Sequence, residues 1–334
     1  MSHALVALAL ALAGTADRAG LVFTRYTAPD HAAVWVADAD GSHARRLVAD
    51  GYAGSLSADG RWVAYSVSSK GRALPVLDVR RVAGGRPRRL GRVSGVWAPG
   101  GARLAVSERH ALFLVDARTS TRRWLVSADA GGISFAPGGT RLAFAGTNGK
   151  AGRECRSDVF VVRLSDLRVT KLTHDGHSDE PVWGGGWLVY RSFHFNGDWS
   201  IGRLRLMRPD GSGKRAFARG DERTYRAQMG LDPLELSRDG KHLLACAAAE
   251  FGCPPVTFSV PGGRRYDLGR ELERTVARRS ELATAADLSR DGRAALVYVG
   301  PFDTDDGDRV YAIPFRGGKP RLLVRDAATP RWAR

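Results

Sequence analysis

The chain has 334 residues, of which 43% are hydrophobic and 40 are glycine, a composition that favours a large, turn-rich globular domain over a disordered polymer. Its formal net charge is +16, with 45 arginines and only 6 lysines. The arginines are scattered and no basic run is interleaved with aromatic residues, which argues against a specific nucleic-acid partner. We expect a generally basic, solvated surface, or attraction to anionic wall polymers or lipid head groups.

The first 16 residues have the pattern of an export signal. An apolar run covers residues 4–13, and small residues suit cleavage after Ala16. The run is too short to span a bilayer, and the segment before it carries His3 but no Lys or Arg. We therefore expect a signal peptide at 1–16, either cleaved or kept as an anchor, one folded domain at 17–334, an extracytoplasmic location and no membrane span.

After residue 18 one short pattern recurs along the chain, for example "SLSADGRWVAYSV" at 55–67 and "SFAPGGTRLAFAG" at 134–146. An Asp-Gly or Gly-Gly pair between two apolar runs predicts a β-hairpin. The turn glycine recurs at intervals of 38 to 54 residues, as Gly60, Gly101, Gly139, Gly186, Gly240 and Gly292. A second pair of runs follows most copies, as at 111–126, so each unit holds four strands.

Four strands in about 40 to 45 residues are typical of a propeller blade, and several blades must stack around an axis to bury their faces. The chain ends on "TPRWAR", which matches the opening of a repeat, and residue 19 begins "AGLVFTRY", which matches a second strand. We therefore predict an all-β propeller closed by the carboxyl-terminal strand joining the amino-terminal blade. Seven blades are expected, or six if 225–279 is not an ordinary blade. The best helix candidate is 270–288.

These repeats resemble the WD40-like (PD40) repeat of the TolB-like propeller family, whose pattern is Pro-x-Trp-Ser-Pro-Asp-Gly followed by an apolar strand and an Arg-Leu-Thr close. The best match is "KLTHDGHSDEPVW" at 171–183. The resemblance covers the chain after residue 18 and implies a propeller and a mostly extracytoplasmic family. The same repeat forms the propeller of prolyl-oligopeptidase-like enzymes. Their hydrolase domain needs a Gly-x-Ser-x-Gly elbow, which is absent here.

The richest cluster of polar and aromatic residues falls in the fifth unit, on the face that carries the variable loops. Two segments contribute to it, "THDGHSDEP" and "RSFHFNGDWS". The candidate binding residues are His174, His177, Asp179, Glu180, Arg191, Phe193, His194, Asp198 and Trp199. This mixture favours ligand or partner contact; the alternatives are a metal or acid–base site, and a structural crossover in which Asp and His are turn residues.

Two further features are weaker. Cys246 ends one predicted strand and Cys253 begins the next, so a hairpin can pair them in a disulfide; the alternative is that Cys246 is a buried apolar residue, and Cys155 has no evident partner. The segment 301–311 contains Asp303, Asp305, Asp306 and Asp308 but lacks the order of a Ca²⁺ loop, so we expect a solvated acidic loop.

The sequence therefore predicts a non-catalytic binding or scaffolding propeller, expected to be a monomer, with a protein or cell-envelope component as partner and no cofactor. One alternative is a propeller enzyme, such as a metal-assisted hydrolase, lactonase or lyase, with its site on the axis. Another is the propeller partner of a separately encoded peptidase.

Overall fold

The computed structural model describes residues 17–28, 31–68, 75–150, 154–196, 199–218, 230–247, 252–278, 280–301 and 307–333. Within these residues the chain forms seven antiparallel sheets of four strands each, as predicted. The strands are, in blade 1, β1 (Leu21–Ala28), β2 (His31–Ala37) and β3 (Arg45–Val48); in blade 2, β4 (Tyr52–Leu56), β5 (Trp62–Val67), β6 (Val76–Arg81) and β7 (Arg88–Gly91); in blade 3, β8 (Ser94–Trp97), β9 (Arg103–Glu108), β10 (Ala111–Asp116) and β11 (Arg122–Val126); in blade 4, β12 (Asp129–Phe135), β13 (Arg141–Thr147), β14 (Ser157–Arg163) and β15 (Val169–Lys171); in blade 5, β16 (Ser178–Gly184), β17 (Trp187–Asn196), β18 (Trp199–Met207) and β19 (Arg215–Ala218); in blade 6, β20 (Leu231–Leu236), β21 (His242–Ala247), β22 (Pro255–Ser259) and β23 (Arg265–Asp267); in blade 7, β24 (Glu281–Leu288), β25 (Ala294–Pro301), β26 (Arg309–Pro314) and β27 (Arg321–Arg325); and last β28 (Ala328–Trp332).

The ring closes as predicted, because β28 is the innermost strand of blade 1. It pairs antiparallel with β1, placing Trp332 opposite Leu21 and Arg331 opposite Val22. Leu21, Val22 and Phe23 are fully buried behind it. First strands of neighbouring blades contact each other in the pairs β28–β4, β12–β16, β16–β20, β20–β24 and β24–β28, so these strands lie around the propeller axis. Strand β28 covers the edge that β1 would otherwise expose.

Among the described residues the hydrophobic core is divided into seven clusters, one between each pair of adjacent blades. Between blades 1 and 2, for example, Val22 and Val34 pack against Val63 and Tyr65. Each sheet therefore buries both faces, and no blade has a core of its own.

The Gly turns hold the blades at close range. Gly60 has φ of +67°, and a Cβ atom there would lie 2.3 Å from the carbonyl oxygen of Ala19. Ser57 donates a hydrogen bond to Asp59 across the same turn, at 2.6 Å. Gly60 is therefore required both by its turn and by the approach of the neighbouring chain segment, whereas a Cβ atom at Gly139 would meet its nearest neighbour, Pro99, at 3.6 Å.

The predicted helix is only partly present. Helix α1 covers Leu268–Thr275, with Asp267 accepting a hydrogen bond from the Arg270 amide as N-cap, and buries Leu268 and Leu272. From Glu281 onward the segment is β24, not helix as predicted. Blade 7 needs an innermost strand to complete its sheet, and that pairing overrides local helix propensity.

Part of the arginine excess has a structural use at the outer rim. Arginines at the start of the outer strands donate to backbone carbonyls of the next blade, in four pairs: Arg45 to Val82 at 2.7 Å, Arg88 to Ala117 at 3.2 Å, Arg123 to Leu164 at 2.8 Å and Arg215 to Pro261 at 3.2 Å. The long, multi-donor guanidinium suits such a bridge better than an ammonium group.

Cys246 and Cys253 are joined as a disulfide, with their Cα atoms 5.0 Å apart. Cys155 is free and partly exposed. Among the described residues, none of the helical structure combines the length and apolar character needed to cross a membrane.

Candidate functional site

The two faces of the ring differ in what they carry. Strand order places the Gly turn and the turn between the third and fourth strands of each blade on one side, here called the Gly-turn face. The loop between the second and third strands and the crossover to the next blade lie on the other side, the crossover face. The predicted site lies on the crossover face, at the junction of blades 4, 5 and 6.

The crossover from blade 4 into blade 5 is fixed by a buried carboxylate. Asp158 accepts hydrogen bonds from Thr173 at 2.9 Å and from the Gly176 amide at 3.2 Å, and its other oxygen lies 2.8 Å from the Lys171 ammonium. Burial opposes ionisation of Asp158, but these donors outweigh it and the pKa is lowered. These contacts tie the segment 171–176 to β14.

Two of the predicted residues, His174 and His177, lie in this crossover. His174 is exposed. His177 packs edge-on against the Phe193 ring, with centroids 5.4 Å apart, and its carbonyl accepts from the Phe193 amide. The neighbouring Asp175 accepts from the His177 amide at 3.0 Å. The structural interpretation of this segment, with Asp and His in turn and packing positions, describes these contacts well.

Arg191 is the centre of the cluster that the structure does bring together. It makes a two-pronged contact with Asp179, both N–O distances being 2.7 Å, and a third bond to Asp232 of blade 6 at 3.1 Å. Glu180 lies 4.0 Å from the same guanidinium. The three carboxylates raise the pKa of Arg191 against the effect of burial, so one positive charge faces three acidic groups.

Glu180 is the least satisfied member of that cluster. Its side chain is 40% exposed, whereas those of Arg191 and Asp179 are 16% and 17% exposed. Burial removes much of the hydration of the Glu180 carboxylate and so raises its pKa. The positive charge of Arg191 opposes this rise, and the negative charges of Asp232 and Asp179 add to it, so that the pKa is about 7. Desolvation also raises the pKa of Asp232. Solvent still reaches the carboxyl, so it is accessible as well as perturbed.

The remaining predicted residues are His194, Asp198 and Trp199. His194 is exposed at the far end of β17. Asp198 and the side chain of Trp199 lie outside the described residues, as do Asp303, Asp305 and Asp306. Asp308 is only 3% exposed, so the expectation of a solvated position is wrong there; Gly300 leaves the space that its carboxylate fills.

Asp232 was missed by sequence reasoning because it belongs to another repeat. It stands opposite Cys246 in blade 6 as Asp179 stands opposite Arg191 in blade 5. Aligning the inner strands across repeats would have placed two acids at equivalent positions of adjacent blades. Within the described residues, no three His, Cys, Asp or Glu side chains are placed to share a metal ion.

Further charged groups line the axis between the two faces. Arg331 of β28 donates to the Ala286 carbonyl, and the Trp332 amide donates to Asp287 at 2.8 Å. Burial by the surrounding protein lowers the pKa of Arg331, and the negative charge of Glu235 opposes that shift. Part of the Arg331 side chain is still exposed to solvent.

A cavity of about 160 Å³ lies on the axis at the Gly-turn face. It is lined by the ends of the inner strands of blades 2 to 7 and by the Gly turns of blades 2, 3, 4, 6 and 7. Aromatic and proline side chains form one wall, and Arg238 and Arg290 stand on the other.

Comparison with known proteins supports the fold. No protein-family model matches the sequence, and no curated protein matches it either. Similar solved structures include TolB from Acinetobacter baumannii, with 16% identity and a TM-score of 0.52, covering 98% of this chain and 70% of that one. A prolyl endopeptidase matches with 14% identity and a TM-score of 0.64, over 98% of this chain and 54% of its own. Oligogalacturonate lyase in complex with manganese matches with 14% identity and a TM-score of 0.59, over 92% and 86%.

These neighbours are TolB-like propellers, and they include enzymes as well as TolB. At such low identity the likeness establishes the fold alone. Function must be argued from the residues of the site.

Proposed function

We propose that the chain is a non-catalytic binding propeller that works outside the cytoplasm, with a protein or other envelope component docked on the crossover face of blade 5. The observation that carries this proposal is the Arg191 cluster. One guanidinium faces Asp179, Glu180 and Asp232, which leaves an acidic excess at one point of a protein whose net charge is +16.

The chemistry of the cluster indicates what the partner offers. Both oxygens of Asp179 are already used by Arg191, whereas the Glu180 carboxyl is accessible and lies 4.0 Å from the Arg191 guanidinium. A Lys or Arg side chain of the partner would supply the missing positive charge. Such charge complementarity gives specificity at an interface, and bound cation would favour the ionised form of Glu180.

Capture from an envelope extract tests this proposal. Immobilised wild-type protein should retain a partner that the triple variant R191A/H194A/W199A retains at least about tenfold less. Because loss of Arg191 also weakens the fold, a second variant, E180Q/H194A, keeps the Arg191–Asp179 pair intact and should lose binding as well. His31→Ala, an exposed histidine of blade 1 on the same face, is the matched control. Equal capture by all four proteins would contradict the proposal.

One observation favours a second function, that of a propeller enzyme with an acid–base carboxyl on the axis. A glutamate with a pKa of about 7 can both give and take a proton near neutral pH, as catalytic carboxyls do, and one structural neighbour is a lyase. Purified protein assayed on acidic oligosaccharides, esters, lactones and peptides, with and without Mn²⁺, distinguishes the two. Turnover that Glu180→Gln abolishes would establish the enzyme and overturn the binding proposal. A propeller partner of a separately encoded peptidase would instead appear in the capture experiment as a bound hydrolase.

A further inference from the structure

The axial cavity on the Gly-turn face lies on the opposite side of the ring from the Arg191 cluster. It has a volume of about 160 Å³, roughly five times the 30 Å³ that a water molecule occupies in the liquid. A group the size of one aromatic or branched apolar side chain therefore fits. Its walls come from six blades, so its shape is set by the packing of the whole ring.

One wall is apolar and rigid. It is formed by Trp97 and Pro99 of blade 3, Phe135 and Pro137 of blade 4, and Trp183 of blade 5. The Trp97 indole is held by a hydrogen bond from its Nε1 to the Ser55 carbonyl of blade 2, at 3.1 Å. Aromatic rings in fixed positions are the usual anchors for an apolar ligand group.

The opposite wall is positively charged. Arg238 of blade 6 and Arg290 of blade 7 are exposed at the cavity, and neither has an ion pair within the described part of the chain. Glu235 is the acidic residue of the lining, and its charge acts on Arg331. The two rim arginines therefore keep an unbalanced positive charge beside an apolar surface.

The positive field continues outward between the Gly turns of blades 6 and 7. Lys241 and Arg293 line that open groove together with the two rim arginines. Its acids, Asp239 and Asp291, are committed to their own turns, where each accepts a serine hydroxyl and a backbone amide. Asp239 also lies 4.0 Å from the Lys241 ammonium and Asp291 lies 3.7 Å from the Arg293 guanidinium, so the positive charge left without an ion pair among the described residues of this groove is that of the two rim arginines.

We propose that this cavity is a second ligand site, which takes an apolar group carrying a carboxylate. The apolar group packs against the Trp97, Phe135 and Trp183 wall, and the carboxylate pairs with Arg238 and Arg290. Guanidinium groups bind carboxylates through two parallel hydrogen bonds, which sets the orientation of the ligand. A free organic acid and the carboxyl end of a peptide share this chemistry.

Titration of the tryptophan fluorescence tests the site directly, because two indoles line it. The probes are N-acetyl-phenylalanine, its amide, and an acetylated tetrapeptide ending in phenylalanine with a free carboxyl end. We expect the acid to bind about tenfold or more tightly than the amide, as charge-assisted hydrogen bonds predict. Tighter binding of the tetrapeptide than of the single acid would identify a peptide end as the source; equal binding would identify a free acid.

The double variant R238Q/R290Q should bind acid and amide alike. Arg61→Gln, an exposed arginine on the Gly turn of blade 2, should keep the preference, and melting temperatures of all three proteins verify the fold. Absence of acid binding at millimolar concentration, equal affinity for acid and amide in the wild type, or an unchanged preference in R238Q/R290Q would each overturn the proposal. Glu180→Gln should leave this binding unchanged, so the ligand site in the cavity is tested independently of the partner proposed for the crossover face.

Discussion

Blades 1 and 5 place different chemistry at the same two positions of the fold. Thr329 in β28 and Glu180 in β16 have nearly equal, positive φ angles of 46° and 48°, at the bulge of their inner strands. Opposite this bulge, the second strand presents Thr24 in blade 1 and Arg191 in blade 5. Thr24 and Thr329 share a hydrogen bond of 2.8 Å, whereas Arg191 stands 4.0 Å from Glu180.

Both positions also link their blade to the next. Thr24 accepts from the Ala53 amide of blade 2 at 3.1 Å, and Arg191 donates to Asp232 of blade 6 at 3.1 Å. Blade 1 thus makes the junction with two hydroxyl groups and one amide. Blade 5 makes the same junction with charged groups, although blade 1 does without them and desolvated charges carry a penalty. The proposed binding function rests on this excess of charge.

The largest expected effect comes from removing β28, the inner strand of blade 1. Deleting residues 329–334 takes away most of β28, exposing the β1 edge and the apolar side chains of Leu21, Val22 and Phe23, all fully buried now. We expect loss of cooperative thermal unfolding and of soluble monomer, measured by calorimetry and size-exclusion chromatography. A truncated protein with an unchanged melting temperature would show that closure by β28 is not needed.

The second prediction compares the stability of the charged junction in blade 5 with that of the neutral junction in blade 1. Arg191→Ala leaves Asp179, Asp232 and Glu180 without their common cation and should lower the free energy of unfolding by about 3 to 5 kcal/mol. Thr24→Val removes only hydrogen bonds and should lower it by about 1 kcal/mol. Urea unfolding at pH 7 measures both. Equal losses would mean that the Arg191 cluster is energetically no different from its counterpart in blade 1.

In blade 6 the position of Thr24 and Arg191 is occupied by Cys246, which faces Asp232 and is disulfide-bonded to Cys253. Closing so short a loop should contribute about 2 to 3 kcal/mol in the chain-entropy model. The double variant C246S/C253S should lose that amount in urea unfolding. Mass spectrometry of the unreduced protein checks the bond itself, and two alkylatable thiols at these positions would contradict it.

The repeat explains why so much of the fold could be predicted and so little of the site. Gly60 and its equivalents mark every hairpin locally, and the partial repeats at the two ends predict the closure. The sites depend on residues from different repeats: Asp232 bonds to Arg191 from 41 residues away, and Trp97 of blade 3 and Arg238 of blade 6 line the same cavity. Local patterns indicate strands and turns, but they do not show which side chains of different blades meet.

The smallest effect concerns proton binding, and it distinguishes Glu180 from the untitratable Thr329. The pKa of Glu180 is about 7 in the folded protein, against an ordinary value of 4.5, so Glu180 holds its proton more tightly in the folded than in the unfolded state. Between these two values the unfolded state binds fewer protons, so stability falls as pH rises from about 4.5 to 7 and is level above. Glu180→Gln has no proton to lose and should lack this part of the fall.

The measurement is the melting temperature of wild type and Glu180→Gln at pH 5, 6, 7 and 8. The two curves should draw apart as pH rises to 7, with the variant the more stable, and stay parallel above it. Asp232 has a raised pKa in the same cluster, so the difference between the two proteins, rather than either curve alone, reports on Glu180. Glu154→Gln, at an exposed ion pair with Lys150, is the control and should follow the wild type. Because solvent reaches Glu180, the separation between the two curves should be modest. Curves that remain parallel from pH 5 to 8 would show that the Glu180 carboxyl is ionised throughout this range and that the charge of Arg191 compensates it fully.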